Sequence, residues 1–274
     1  MSKNPNNNRF SWADGTTNRF GRSRLGKGLT TSNSNAKVIQ PGQLRAPLST
    51  PIETVARNVN LGLNSERSRG MMIERLRRQG IKDERVLQAM MAVPRHLFVD
   101  EGLASRAYEE DALPIGYAQT ISQPWVVARM IATLCEVRVP TKVLEVGAGC
   151  GYQTAVLAQL ANEVYAIERI QGLYDLARIK MRDLGLTSRV RLNFADGMLG
   201  VPHAAPFDGI IVAAAGLKIP QALLEQLAVG GRLIAPEGSA SQRLVLIERT
   251  SMTTWQRKEL ESVRFVPLRA GTQL

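Results

Sequence analysis

Residues Lys142 to Gln153 read KVLEVGAGCGYQ. An apolar run (Val143, Leu144, Val146) meets Gly147-Ala148-Gly149-Cys150-Gly151, and a helical pattern follows. A buried strand that ends in glycines and opens a helix is the start of a nucleotide-binding α/β unit. Glycines permit a sharp turn and close approach of a ligand, while a helix N-terminus offers unpaired N–H groups. The spacing is GxGxG, not the GxGxxG of dinucleotide enzymes, whose third glycine serves helix–strand packing. A second apolar stretch, Val164 to Ile167, ends at Glu168. That is about twenty residues beyond the glycine loop, where a carboxylate can take both hydroxyls of a ribose. Capping of the strand or a solvated turn is the alternative role for Glu168.

The pattern continues on both sides. Helices are expected over 152–160, 170–184 and 220–228, with Gly185 as a C-terminal stop. Strands are expected at 190–194, leading to Asp196-Gly197, and at Phe207 to Val212, ending in Ala213-Ala214-Ala215-Gly216. Gly230-Gly231-Arg232-Leu233 reads as a turn into Pro236-Glu237-Gly238, and Arg243 to Arg249 with Lys258 to Val266 as a terminal antiparallel hairpin. Alternation of this kind predicts an α/β fold, a mostly parallel sheet covered by helices on both faces. Upstream, Ile73, Leu76, Val86, Leu87, Met90 and Met91 mark two amphipathic helices parted by Gly80, with Asp83 capping the second. Pro94-Arg95-His96-Leu97-Phe98 breaks this pattern. Residues 108–124, YEEDALPIGYAQTISQP, follow as a polar loop suited to covering a cofactor or binding substrate. Ser122 or Thr120 can cap the helix whose apolar face is Val126, Val127, Met130, Ile131 and Leu134.

The net charge of +11 is unevenly placed: residues 1–70 hold 11 Lys/Arg against 3 Asp/Glu. This stretch, rich in Asn, Ser, Thr, Gly and Arg, has no sustained period and is expected to be a disordered basic extension. Short apolar patches (Phe10, Trp12, Phe20; Val55 to Leu63) are candidate contact segments, and the scattered arginines leave a nucleic-acid tether open against a solvated tail. The domain proper is expected over 71–274, with 71–140 covering the substrate and 141–274 holding the cofactor. No apolar run approaches the roughly 18–20 residues of a membrane span, and the N-terminus lacks the apolar core of a secretion signal. Two cysteines, Cys135 and Cys150, form no CxxC and no disulfide framework, as suits a reducing cytoplasm. His96 and His203 lack ligand spacing, so no metal is expected.

GxGxG, Glu168 and Asp196-Gly197 together resemble class I, Rossmann-like S-adenosylmethionine (SAM)-dependent methyltransferases. Pro94–Phe98, Leu113–Pro124 and Gly147–Gly151, in this order, resemble more closely the protein-L-isoaspartate (D-aspartate) O-methyltransferase family, over roughly residues 71–270. The resemblance implies methyl transfer from SAM to the free α-carboxylate of L-isoaspartyl residues in proteins and peptides, leaving S-adenosylhomocysteine; the oligomeric state is open, with a monomer expected. It implies Ser122 as the active-site serine, in a loop with Thr120, Ile121, Gln123 and Pro124. It further implies that Glu145, Gly147, Gly149 and Gly151 cradle the methionine part, Glu168 the ribose, and Asp196 with Gly197 the adenine. The small residues at 213–216 and 236–238 would let an extended peptide lie nearby, or simply permit tight turns. Two departures stand out: Trp125 where relatives more often carry Tyr or His, and Ala118 where Gly is frequent. An indole cannot accept a hydrogen bond, which puts a polar cofactor contact at Trp125 in doubt.

Alternatives from other classes are weaker on the residues. An enzyme methylating RNA or another carboxylate keeps the same glycine loop. Amino-methylating enzymes, however, commonly carry an Asn/Asp-Pro-Pro-aromatic motif where this chain reads Ile211-Val212-Ala213-Ala214-Ala215-Gly216. A non-catalytic module would not need Ser122, and a nicotinamide dehydrogenase would need a hydride-site His or Tyr/Lys pair.

Overall fold

The computed structural model describes residues 56–274, with side-chain surroundings from Ser65 onward. The contact segments expected at Phe10, Trp12, Phe20 and within Val55 to Leu63, like the tether itself, lie outside the side chains so described.

Helix α1 spans Ala56–Arg78 and α2 Glu84–Ala92. They are parted at Gly80, whose φ of +95° is a left-handed turn. Asp83 caps α2 as expected, its side chain accepting from Arg85 N. Helix α1 begins upstream of Met71 and so crosses the boundary expected after residue 70. Its apolar anchor is Met72, Ile73 and Leu76. Propagation from an anchored turn costs far less than nucleation, so a helix can extend through residues with no apolar period of their own.

Two 3-10 turns, Arg95–Phe98 and Glu101–Arg106, lead to a small antiparallel hairpin, β1 Leu113–Gly116 and β2 Gln119–Ile121. The segment expected as a loop is therefore paired. Its two-residue turn, Tyr117-Ala118, has φ of +54° at both positions, as a tight type I′ hairpin turn demands. Helix α3, Pro124–Cys135, follows.

The remainder alternates: β3 Lys142–Val146, α4 Tyr152–Leu160, β4 Glu163–Glu168, α5 Gln171–Asp183, β5 Val190–Phe194, β6 Phe207–Val212 and α6 Gln221–Glu225. Then come β7 Leu227–Gly238, β8 Gln242–Arg249 and β9 Trp255–Val263. The seven strands lie in the order β5-β4-β3-β6-β7-β8-β9. Those from β5 to β7 are parallel, while β8 and β9 each pair antiparallel with the strand before. The expected terminal hairpin is thus β8–β9 added to β7, with β8 nearly as expected and β9 three residues earlier.

Two expectations around β7 fail together. The helix expected over 220–228 stops at Glu225, and the turn expected at Gly230-Gly231 lies inside β7. Between the Phe207–Leu227 and Gly209–Arg232 pairs the register of β6 and β7 shifts, with Gly230 at φ +77° absorbing extra residues as a bulge. Arg232, just after it, is buried and bonds Thr133 O on α3 and the Glu136 carboxylate just past its end.

Successive residues of β3 serve opposite faces of the sheet, as strand geometry requires. Val143 joins the core with α1 to α4, and Leu144 and Val146 join the core with Phe207, Leu223 and Leu233. The chain leaves β3 toward β4 on one side and returns through β6 on the other, so β3 and β6 bracket a topological switch point. Ligands of open α/β sheets bind at the carboxyl ends of strands at such a point.

Candidate active site

A cavity of about 290 Å³ opens there. Its floor is the glycine loop between β3 and α4. Gly147, Gly149 and Gly151 all have positive φ, and Gly151, at +89°, is the N-cap of α4. A side chain on Gly151 would press on Met181 and Ala177 of α5. This glycine therefore serves helix packing, as the third glycine of the longer dinucleotide motif does.

Most amides of the loop itself turn inward. Gly147 N and Ala148 N both donate to Ile167 O, Gly149 N to Glu168 Oε2, and Gly151 N to Ala148 O. With these four donors consumed inside the protein, any ligand-facing amides are left to Cys150 and the first turn of α4.

Two carboxylates adjoin the floor instead. Glu145, at the end of β3, is fully buried and accepts from Gln153 Nε2 at 3.0 Å and from the Thr154 hydroxyl. Burial pushes its pKa up to about 8, the nearby Glu168 adds to the rise, and the Thr154 and Gln153 hydrogen bonds oppose it. Glu168, at the end of β4, accepts from Gly149 N and Ile170 N, each at 2.8 Å. One bond on each oxygen leaves lone pairs available to a ligand.

The roof is the β1–β2 hairpin. Ile115 Cδ1 lies 3.3 Å from where a Cβ on Gly149 would stand. At the tip, the Tyr117 hydroxyl rests on Gly172 of α5, 1.9 Å from where a Cβ there would be. Thr120 and Ile121 of β2, and Ser122 just after it, reach the cavity wall. Neither Ser122 nor Thr120 caps α3: the N-cap is Gln123, without a side-chain bond, and Pro124 opens the helix. Glu110 Oε1 takes the Trp125 amide at 2.8 Å in place of a cap. Among the described residues the Ser122 hydroxyl has no hydrogen-bond partner, so the capping role falls away.

The far wall joins Ala213 and Ala214, beyond β6, to Val266, Pro267, Leu268 and Arg269. Ala215 N donates to Val266 O, and Leu268 N to Ala215 O. Gln273 also lines the cavity, with its backbone tied to Arg169 O and Gln171 N.

Of the residues expected from sequence, Thr120, Ile121, Ser122, Glu145, Gly147, Gly149, Glu168 and Gly197 line the cavity together. Gln123, Pro124, Gly151 and Asp196 do not, and neither does Trp125. Asp196 spends both oxygens on backbone, accepting from Met198 N and Gly271 N at 2.8 and 2.7 Å. Gly197 is at the wall, and a Cβ there would lie 2.5 Å from Val146 Cγ1. The expected peptide-bearing segment Pro236–Gly238 is the end of β7; it pairs with β8 and bridges to Gly216, outside the lining. Sequence reading missed Tyr117, Tyr152, the 266–269 segment and Gln273. The last two lie beyond the final strand, where no glycine or acidic pattern marks a site.

Among the described residues no cluster of His, Cys, Asp and Glu could hold a metal ion, and no helix is long and apolar enough to cross a membrane.

The chain matches the family model of protein-L-isoaspartate(D-aspartate) O-methyltransferase over residues 67–273. A curated protein-L-isoaspartate O-methyltransferase of Bordetella parapertussis is 69% identical over 251 residues, covering 91% of this chain and 95% of that protein. One from Burkholderia vietnamiensis is 57% identical over 212 residues, covering 76% of this chain and 68% of the relative. Among solved structures, a Plasmodium falciparum beta-aspartate methyltransferase (PCMT) in complex with S-adenosyl-L-homocysteine aligns with a TM-score of 0.66 at 26% identity. That alignment covers 73% of this chain and 97% of that one.

Proposed function

The chain belongs to the protein-L-isoaspartate(D-aspartate) O-methyltransferase family, and we propose that the cavity under the hairpin is its reaction centre, with Ser122 orienting the carboxylate that accepts the methyl group. The enzyme transfers a methyl group from SAM to the free α-carboxylate of L-isoaspartyl residues in damaged proteins. The resulting ester is a better electrophile than the carboxylate. The neighbouring amide nitrogen displaces the alcohol to close a succinimide, and hydrolysis returns part of it as a normal aspartyl link.

The residues fit the cofactor on two counts. A loop with most of its amides bonded inside the protein suits a ligand without phosphates, and the Glu168 carboxylate, with Glu145 able to ionise beside it, suits a cationic one. In this reading Glu145 and the glycine loop hold the methionine part, Glu168 the ribose, and Gly197 the edge of the adenine, with Asp196 fixing the turn beneath it. When bound, SAM supplies a methyl already activated on a sulfonium. A substrate carboxylate, with a pKa of about 3.3–3.9, is ionised at neutral pH and needs no general base. What remains for the protein is to align one oxygen with the methyl and keep water out. The hairpin roof supplies the cover, and the Ser122 hydroxyl donates a hydrogen bond that fixes the carboxylate. The small side chains of Ala213 and Ala214 leave room for the substrate backbone.

The observation that carries this reading is the unpartnered Ser122 hydroxyl on the wall of a cavity floored by carboxylates. A hydrogen bond to a charged group is worth about 1.5–3 kcal/mol. Ser122→Ala is therefore expected to lose roughly 10- to 100-fold in kcat/KM toward an isoaspartyl peptide, with SAM affinity kept within about threefold. Parental kinetics would overturn the role. In the same reading the enzyme works as a cytoplasmic monomer, in keeping with the free thiols of buried Cys135 and Cys150. The residues before α1 act as an extension to the domain, a solvated tail being favoured over a nucleic-acid tether.

A further inference from the structure

Arg95 is a cation in the core without a carboxylate partner among the described residues. It is 0% exposed, and its guanidinium lies over the Tyr152 ring, 4.9 Å from the centroid. Nε donates to Ala107 O at 2.7 Å and Nη2 to Ser122 O at 2.8 Å, while buried Nη1 has no partner. An unpaired donor on a buried charge costs stability, and an apolar side chain of similar volume would often serve a core better. What such a side chain could not do is hold a main-chain carbonyl. The carbonyl held is that of Ser122, and the ring beneath, Tyr152, is itself a wall of the cavity.

The need for such a hold follows from how α3 begins. Ser122 stands between a three-residue strand and a helix with no side-chain cap, so its own element does little to fix it. Support comes from outside on both sides. Glu110 takes the Trp125 amide and its carbonyl accepts from Gln123 Nε2 at 3.2 Å, while Arg95 takes the Ser122 carbonyl. Only the second acts on the serine itself.

We propose that Arg95 is a positioning residue for methyl transfer: by gripping the Ser122 carbonyl it aims the serine hydroxyl at the substrate carboxylate. This rests on the role assigned to Ser122 above. A guanidinium suits the task because its planar fork reaches Ala107 O and Ser122 O at once, which a lysine ammonium cannot do in the same fixed geometry.

The test is a double-mutant cycle in the full chain, with Arg95→Met, Arg95→Lys and Ser122→Ala, alone and combined. The readouts are kcat/KM for an isoaspartyl peptide and SAM-binding stoichiometry by calorimetry, so that rates are referred to folded sites. Arg95→Met is expected to lose about tenfold or more in kcat/KM and Arg95→Lys less, both with SAM affinity near the parent's. In the Ser122→Ala background either change should cost less than about twofold, because there is no hydroxyl left to aim. Equal, additive losses in both backgrounds would overturn the proposal, as would a Met variant with parental kcat/KM. If Arg95→Met binds no SAM, the Lys variant carries the cycle; if neither binds, Arg95 is a folding element and the proposal fails. Parental kinetics in Ser122→Ala alone would remove the premise instead.

Discussion

Glu145 is a carboxyl whose protonation and whose ligand are opposed. Unfolded, it titrates near the ordinary 4.5; folded, burial first and the Glu168 charge with it raise the pKa to about 8. Between these values the folded protein holds a proton that the unfolded chain has lost. Stability from this group is fully present below about pH 4.5, declines as pH rises, and is gone above about 8. A tenfold change in a protonation equilibrium corresponds to about 1.4 kcal/mol. Glu145→Gln, which keeps an acceptor for Gln153 and gains a donor for Thr154, should therefore be more stable than the parent at pH 9 by roughly 2–4 kcal/mol, read by denaturant titration. A cationic ligand favours the ionised form, so SAM binding at pH 7 should release close to one proton from the parent and almost none from the variant. Calorimetry in buffers of different ionisation enthalpy reads this, and equal proton release from both would place the ligand's charge elsewhere. Glu168 was legible as a strand-end acid about twenty residues beyond GxGxG, and Glu145 through the family resemblance. Arg95 was not: a lone Arg in PRHLF gives no sign of burial, and its partners Ala107 and Ser122 are backbone carbonyls that no residue pattern announces.

At the scale of elements, the hairpin roof is where local conformation and site meet. Tyr117 and Ala118 both sit at φ +54°, a region that costs a non-glycine residue about 1–2 kcal/mol. This gives a physical reason for glycine to be favoured over alanine at position 118. Ala118→Gly is expected to raise stability by about 0.5–1 kcal/mol, the relief of strain being partly offset by glycine's freedom in the unfolded chain. That corresponds to a Tm rise of about 1–4 °C; a fall in Tm would mean that the Ala118 methyl packs more than it strains. The hairpin was hidden in the sequence because β1 and β2 are short and the turn lacks the Asn-Gly or Gly-Gly signal that marks such turns. The same limit applies to the glycine loop. Its position was readable, but whether its amides face a ligand or the protein depends on Ile167 and Glu168, which come from the next strand.

For the whole molecule, the alternation of β and α elements was enough to predict the parallel sheet and the switch point where the cavity lies. The antiparallel end was legible in kind but not in boundary, because the β6–β7 bulge made strand residues read as a turn. The cavity wall formed by 266–269 and Gln273 depends on a segment past β9 folding back to pair with Ala215 and Ile170. Nothing local in those residues specifies such a return. With roof, floor and far wall drawn from separate stretches, specificity belongs to the assembled site. The decisive measurement is methyl transfer from labelled SAM to two peptides identical except for one linkage, isoaspartyl in one and aspartyl in the other. Base-labile methyl ester on the isoaspartyl peptide alone is the predicted result. Equal labelling of both, or transfer to neither while SAM still binds, would contradict it.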